Sequence, residues 1–195
     1  MDWVTSSGSS KGSKDNIFVD NVKIASAQIK YGVQEDWQTY SDDISIHLTL
    51  DIGRDFQPNM YIGGNYKKDD VGGEIVGWST AFKVKMFFDS IGMPIRLDKG
   101  KSPQSSRLPA DAEQLITGKQ FSRLTYISTK TKRDGGQLWK DWQETRPADY
   151  DSTKFKSEFK ESVSKGYVKD FSSNKETSQE NNNPFSDDQF QGMPT

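Results

Sequence analysis

Strict alternation of apolar and polar residues marks the clearest structural element of the chain. Between residues 43 and 52, five aliphatic side chains alternate with polar ones, among them His47. A period of two predicts a β-strand with one face in the core and the other toward solvent. His47 is the only histidine, and no metal-ligand or catalytic partner surrounds it in the sequence. We therefore interpret it as an exposed strand residue, with a nucleic-acid contact as the second interpretation.

Four further segments have weaker strand patterns, at residues 17–31, 57–66, 122–129 and 138–144. The first is expected to bend near residues 20–21. In the second, Gly63 and Gly64 interrupt the pattern, which is typical of a bulge or of a close approach by another backbone. The sequence Asp134-Gly135-Gly136 separates the last two segments and predicts the tight turn of a hairpin.

Helical periodicity appears in three places. In residues 79–92, Val84, Phe87 and Phe88 belong to one stripe, which predicts a helix that faces the core. Residues 111–116 predict a single helical turn. In residues 152–165, apolar residues recur every four positions, which indicates an amphipathic helix that packs on the sheet or binds another protein, including a second copy.

The order of these elements is strand, strand, strand, helix, strand, strand. A five-stranded Greek-key barrel with a helix between strands 3 and 4 is the arrangement of the OB-fold, so we expect a mainly β protein with two or three helices. The expected organisation is a flexible arm (1–15), an OB-like barrel (16–148), an amphipathic helix (149–171) and a disordered acidic tail (172–195).

Composition narrows the class of protein. Only 32% of the 195 residues are hydrophobic, whereas 12% are aromatic, so rings are expected to remain on the surface. The chain has no cysteine, which excludes disulfides. It has no apolar run of the roughly 20 residues that a membrane span needs, and we expect a protein of the cytoplasm that does not bind membranes.

Charge is distributed unevenly along the chain. The net charge is −2, but residues 172–195 contain one lysine and four acidic residues, a net of −3. Residues 1–171 therefore carry a net charge of +1. Their cations are concentrated between residues 96 and 146, so the asymmetry is compatible with binding to a polyanion.

The predicted hairpin combines these cations with aromatic rings, as a site for a single nucleic-acid strand requires. Because Trp139 and Trp142 are three residues apart, regular alternation places them on opposite faces, and one is expected in the core. The alternative is a solvated hairpin whose lysines deter aggregation. The expected stacking residues are Tyr61, Tyr66, Tyr126, Trp139 and Trp142. The expected phosphate contacts are Lys67, Lys68, Lys119, Arg123, Lys130, Lys132 and Arg133.

The hairpin, the order of elements and the sequence Asn183-Pro184-Phe185-Ser186-Asp187-Asp188 resemble the OB-fold single-stranded DNA-binding proteins of bacteriophages. The resemblance covers roughly residues 17–146 and the tail. It implies sequence-tolerant binding of single-stranded DNA in replication or recombination, without a metal or other cofactor. It also implies that Pro184, Phe185, Asp187 and Asp188 recruit replication or recombination proteins.

Other functions stay open at this point. The acidic tail is expected either to compete with DNA for the basic groove or to serve only as a solubilising segment. The principal alternative function is a phage structural or assembly protein that binds other proteins through the same hairpin. No enzymatic activity is expected, because the sequence lacks a phosphate-binding loop motif and a compact carboxylate cluster. A metal-dependent nuclease that uses scattered aspartates is the remaining enzymatic hypothesis.

Overall fold

The computed structural model describes residues 16–173. Residues 1–15 and 174–195, to which the flexible arm and most of the acidic tail were assigned, lie outside the described residues, and so do Pro184, Phe185, Asp187 and Asp188. The described part of the chain is mainly β and contains three helices. Its elements are β1 (Ile17–Val33), β2 (Asp42–Asp51), β3 (Asn59–Gly64), β4 (Lys67–Lys68), β5 (Ile75–Gly77), α1 (Phe82–Ser90), α2 (Ala112–Ile116), β6 (Gln120–Thr131), β7 (Gln137–Pro147) and α3 (Ser152–Ser164).

Five of the strands form one antiparallel sheet in the order β3-β2-β1-β6-β7. Strand β1 is long enough to have two partners, because residues 17–23 pair with β6 and residues 23–33 pair with β2. The pairing with β2 shifts register between Ile24 and Ser26, close to Lys23, which pairs with both strands. Residues 20–21, where the sequence predicted a bend, pair with β6 without a register shift. The strands β4 and β5, which the sequence pattern did not predict, form a separate two-stranded sheet.

The alternation in β2 is confirmed by the main core. Ile44, Ile46 and Leu50 are completely buried, and they pack in one cluster with Phe87 and Phe88 of α1. The polar face is less exposed than expected, because Asp43 and Ser45 are buried and His47 and Thr49 are partly buried. Helix α1 therefore covers the apolar side of the first three strands.

The paired glycines mark a close backbone approach, as the sequence indicated. A Cβ atom at Gly64 would lie 2.4 Å from the carbonyl carbon of Thr80, which no side chain tolerates. The amide of Asn65 donates to Thr80 Oγ1 at 2.8 Å. Helix α1 begins at Phe82, and its N-cap residue is Ala81, so the helix has no side-chain cap.

Helix α3 packs on the sheet and buries the stripe that the sequence predicted. Phe155 and Phe159 are completely buried against Leu124, Tyr126 and Trp142 of β6 and β7. The ring centroids of Trp142 lie 5.6 Å and 5.4 Å from those of the two phenylalanines. The side chain of Asp151 accepts a hydrogen bond from the amide of Lys154 and caps the helix.

The sheet ladders that the described residues form do not include a pairing between β3 and β7. Helix α1 lies beside this gap and contacts β7 through two polar pairs. Lys83 Nζ donates to Gln143 Oε1 at 2.9 Å, and the hydroxyls of Ser90 and Thr145 are 3.0 Å apart. The observed architecture is thus a five-stranded antiparallel sheet with helices. Within residues 16–173, no helix is sufficiently long and apolar to cross a membrane.

The two hairpin tryptophans occupy opposite environments, which confirms the expectation from alternation. Trp142 is 7% exposed and Trp139 is 42% exposed.

We expect Trp142→Ala to lower the free energy of unfolding by about 3–5 kcal/mol, because it leaves a cavity against α3. Trp139→Ala should lower it by about 1 kcal/mol or less, as is usual for partly exposed positions. Urea denaturation followed by circular dichroism measures both values, and equal losses would contradict the assignment.

Candidate nucleic-acid groove

Three adjoining cavities form a continuous groove on one side of the molecule. The hairpin cavity, of about 920 Å³, lies between β1, the loop after β2, and the hairpin β6–β7. The edge cavity, of about 830 Å³, lies between β3, β7 and the segment that follows α3. The strand-face cavity, of about 500 Å³, lies over β1, β2 and β3. Asn59 lines all three, and this shared wall makes them one surface.

The hairpin cavity exists because α3 covers only one face of β6 and β7. Trp142 points to α3, so Trp139 and Asp141 lie on the opposite face of β7. In the sheet register, Thr125 of β6 is opposite both Asp141 of β7 and Phe18 of β1. The side chains opposite the α3 contact therefore converge in the hairpin cavity.

Aromatic rings line the groove along its whole length. Phe18 and Trp139 make an edge-on contact with a centroid distance of 5.1 Å. Phe56 is 69% exposed on the loop between β2 and β3. Trp37, at 65% exposure, lies 4.8 Å from the ring of Tyr61 at the other end. Exposed rings of this kind provide stacking surfaces for unpaired bases.

A hydrogen-bond network fixes the loop that carries Trp37. Tyr61 OH donates to Asp42, and Gln38 Nε2 donates to Tyr61 OH at 2.8 Å and to Asp42 Oδ2 at 2.7 Å. Burial, and then the hydrogen bond to Asp42, raise the pKa of Tyr61 well above its ordinary value. The phenol is therefore neutral at physiological pH. It acts as a permanent donor that holds β3 to the loop.

His47 lies beside this network and lines the strand-face cavity. Its Nε2 is 3.3 Å from Glu35 Oε1. Burial, and then the charge of Lys30, lower the pKa of His47, although Glu35 opposes them. The ring is therefore mostly neutral at physiological pH and adds little positive charge to the groove.

The tip of the hairpin carries cations that pair with no acid of the described residues. Lys130, Lys132 and Arg133 are exposed, and their side chains make no ion pair with any residue between 16 and 173. The turn is closed by the amide of Lys132, which donates to the carbonyl of Gly136 at 2.9 Å. Gly135 has a φ of 79°, so the sequence expectation of a glycine turn is confirmed there. These charges are free to bind phosphates.

The floor of the hairpin cavity contains a buried charge cluster. The side chain of Arg123 is 7% exposed, and its Nη2 donates to Asp20 Oδ2 at 2.8 Å. Its Nη1 is 3.6 Å from Asp141 Oδ1, which is too long for a hydrogen bond. Arg123 Nε and Asp141 Oδ1 are both buried and have no hydrogen-bond partner among residues 16–173. Burial raises the pKa of Asp141 to about 6, with Arg123 opposing the shift and Asp20 adding to it.

The segment after α3 is attached to the hairpin by Asp170. Its carboxylate accepts hydrogen bonds from Tyr126 OH at 3.0 Å and Ser128 Oγ at 3.1 Å, and it pairs with Lys140. The carbonyl of Asp170 accepts from the amide of Thr129 at 2.7 Å. Burial alone would raise the pKa of Asp170, but the hydrogen bonds from Lys140 and Tyr126 outweigh it and lower the pKa. The described chain therefore ends next to the hairpin.

Four of the expected nucleic-acid contacts are buried, and these expectations need correction. Tyr66 packs in the main core near Trp78, and Tyr126 and Trp142 pack against α3. Arg123 pairs with Asp20 inside the hairpin cavity and does not stand on the surface. Their side chains are held in packing contacts and ion pairs with residues that are distant in sequence.

Other expected cations are exposed but lie away from the groove. Lys67 and Lys68 belong to the small β4–β5 sheet, and Lys68 Nζ pairs with Asp43 Oδ1 at 2.9 Å. Lys119 precedes β6 and lines none of the three cavities. Tyr61, Lys132 and Trp139 are the expected contacts that line the groove without being buried. The buried Arg123, Tyr126 and Trp142 also form part of its walls. Lys130 and Arg133 flank the groove at the tip.

The groove also contains residues that the sequence pattern did not single out as contacts. They include Phe18, Trp37, Arg54 and Phe56. Trp37 and Phe56 are large rings isolated in polar loops, and this isolation was the sequence signal that could have identified them as contacts. Between residues 16 and 173, no group of three or more histidine, cysteine or acidic side chains is placed so that it could hold a metal ion.

Asp141 makes the stability depend on pH. Because its folded pKa of about 6 is higher than the ordinary value of 3.8, ionising it costs more in the folded state. This cost is absent below about pH 4 and is complete above about pH 6. We expect Asp141→Asn to be more stable than the wild type at pH 8, by roughly 1–3 kcal/mol. The difference should shrink as pH falls to about 4.

Thermal melting of both proteins across this range provides the measurement. A stability difference that does not change with pH would show that Asp141 is not the titrating group.

Comparison of the chain with protein-family models, with curated proteins and with solved structures gives no match. The functional conclusions that follow therefore depend on the geometry of the groove.

Proposed function

We propose that this protein binds single-stranded DNA in the groove formed by the hairpin, edge and strand-face cavities. The observation that carries the proposal is a continuous groove with exposed rings along its length. At its hairpin end the groove has cations that pair with no acid between residues 16 and 173. Unpaired bases need flat apolar surfaces, and the phosphates that connect them need positive charge. A duplex would leave the rings without partners because its bases are already stacked.

The proposed fold is an OB-like barrel. Its support is the path of the chain through the sheet, in which β1, β2 and β3 form a meander and β1 also pairs with β6. Helix α1 follows the third main strand, as in that fold. In this arrangement, β3 and β7 are the two edges that face each other across the edge cavity. Oligonucleotides bind OB-folds on a strand face bordered by loops, and the groove has such a border.

In the proposed mechanism, bases stack on the exposed rings and the phosphates follow the cations. Stacking contributes about 1–3 kcal/mol per base, and it tolerates different sequences because every base has a π face. The stacking residues are Phe18, Trp37, Phe56, Tyr61 and Trp139. The phosphate-binding residues are Arg54, Lys130, Lys132 and Arg133. The buried Tyr66, Arg123, Tyr126 and Trp142 support the groove and do not stack bases or reach the phosphates.

One observation favours a second function, the binding of another protein. The edge cavity contains the carboxylates of Glu144 and Asp170 next to Lys83 and Lys140. A mixed-charge wall with exposed rings also suits a polypeptide. Binding of a polyanion releases counterions and weakens steeply with salt, whereas a peptide of mixed charge would show little salt dependence. Salt titration therefore separates the two functions.

The salt dependence of binding tests the role of the hairpin tip. We expect the affinity for oligo(dT) to fall as salt rises, with a slope of about −0.7 per phosphate contact on a log–log plot. Lys132→Ala combined with Arg133→Ala removes two contacts and should reduce the slope by about 1.4. Fluorescence anisotropy of a labelled oligonucleotide gives the slope.

The matched control is Lys67→Ala combined with Lys119→Ala. It removes two exposed cations that pair with no acid in the described part of the chain and line none of the cavities. Its slope should equal that of the wild type. Equal slopes for the wild type and the hairpin variant would place the phosphate contacts elsewhere. Retention of oligo(dT) that is independent of salt would contradict the electrostatic mechanism.

A further inference from the structure

The floor of the hairpin cavity has a polar pattern that a phosphate would not match. Arg123 lies between Asp20 and Asp141, so two carboxylates accompany one guanidinium. The side chains of Asp20 and Asp141 stay 39% and 23% exposed, and both line the cavity. When both acids are ionised the cluster has a net charge of −1. Such a floor repels an anion and accepts hydrogen bonds from N–H groups.

The same cluster lacks hydrogen bonds that buried groups normally make. Arg123 is more than nine-tenths buried and lines the cavity. No described residue, however, makes a hydrogen bond with its Nε or with Asp141 Oδ1. Buried polar atoms without partners are rare in proteins and call for an explanation. A ligand that brings both donors and acceptors to this floor would give the cluster new partners after a small rearrangement.

The positive charges at the hairpin cavity lie at its rim and not on its floor. Arg54 is exposed on the loop after β2, and Lys132 is exposed at the hairpin turn. The side chains of both make no ion pair with the described residues, so they remain available to phosphates. The exposed ring of Phe56 and the contacting pair Phe18 and Trp139 provide apolar walls. Charge and shape together favour a nucleotide whose phosphate stays at the rim and whose base points inward.

We propose that the hairpin cavity is a base-reading subsite, which takes one nucleotide of the bound strand and prefers a base with an exocyclic amino group. This inference rests on the proposed binding of single-stranded DNA and adds a local preference to it. Carboxylates accept hydrogen bonds from the amino group of cytosine. Uracil differs at that position by a carbonyl oxygen, which an acceptor-rich floor repels. The rest of the groove remains tolerant of sequence.

The test compares oligo(dU) of about 15 nucleotides, within the range of lengths that such folds bind, with the same oligonucleotide carrying cytosine at every third position. The two probes differ only at the C4 oxygen or amino group and the adjacent N3, and the second one is too poor in cytosine to fold on itself. Affinities are measured at about pH 8, where Asp141 with its pKa of about 6 is ionised. We expect about five- to tenfold tighter binding of the cytosine-containing probe, near the lower limit for base discrimination.

Two variants test whether the floor of the hairpin cavity causes the preference for the cytosine-containing probe. Asp141→Asn replaces one carboxylate oxygen by an amide donor and should reduce the ratio of the two affinities to about two or less. Asp55→Asn is the matched control, because Asp55 is exposed next to Phe56 and lines none of the cavities. It removes the same charge near the groove and should leave the ratio unchanged.

A pH series on the wild type makes the test independent of any variant. Protonation of Asp141 removes an acceptor, so the ratio should fall as pH decreases through about 6. The other charged groups that line the cavity are Asp20, Arg54, Arg123, Lys132 and Lys140. Of these, Asp20 is the acid, and it is paired with Arg123.

The results of these measurements distinguish a failure of the base-reading subsite from a failure of the proposed DNA binding. A ratio near one in the wild type at pH 8, with both probes bound, would overturn the base-reading subsite and leave the proposed binding of single-stranded DNA intact. A ratio that Asp141→Asn does not change would overturn the role of this floor. Failure to bind either probe would overturn both proposals.

Discussion

Burial of one face of the hairpin β6–β7 beneath helix α3 determines the rest of the proposed site. Trp142, Leu124 and Tyr126 pack against Phe155 and Phe159, and these contacts fix the orientation of both strands. Because side chains alternate along a strand, the opposite face must then present Trp139 and Asp141. The groove is thus a consequence of where the core is, and a change of register by one residue would exchange the two faces.

Two further constraints connect this hairpin to the remainder of the groove. Strand β1 pairs with β6 at one end and β2 at the other, so Phe18 is carried into the hairpin cavity by the same strand that supports the meander. At the other end, the contact between Gly64 and Thr80 fixes β3 to the start of α1. The hydrogen bonds among Gln38, Asp42 and Tyr61 then hold the loop of Trp37 over the strand face. The rings are therefore placed on a framework of strands, which limits the ordering that a bound strand would have to induce.

Local periodicity predicted much of the fold. The alternation in β2, the stripe of α3 and the glycine turn at Gly135 depend on neighbours in sequence, and the structure confirms them. The opposite faces of Trp139 and Trp142 follow from the same rule. Which of the two is buried depends on α3, and no local pattern contains that information. The gap between β3 and β7 is likewise a tertiary feature, which the order of elements does not determine.

The site residues were harder to predict because exposure depends on distant partners. Arg123 is neutralised by Asp20, 103 residues away in sequence, and Tyr126 is held by Asp170, 44 residues away. The presence of a cation or a ring in a hairpin sequence therefore does not indicate whether its side chain is exposed and available for binding. For Trp37 and Phe56 the error was the reverse. Both rings are exposed in the groove, but they were not predicted as contacts because rings in irregular loops have no periodic pattern.

Photochemical cross-linking shows directly whether a single DNA strand contacts the rings of the groove. An oligonucleotide in which thymine is replaced by 5-iodouracil would be irradiated with the protein, and the attached residues identified by mass spectrometry. We expect attachment to Trp37, Phe56, Tyr61 or Trp139. Attachment confined to the β4–β5 sheet or to the outer face of α3, or no attachment at all, would contradict it.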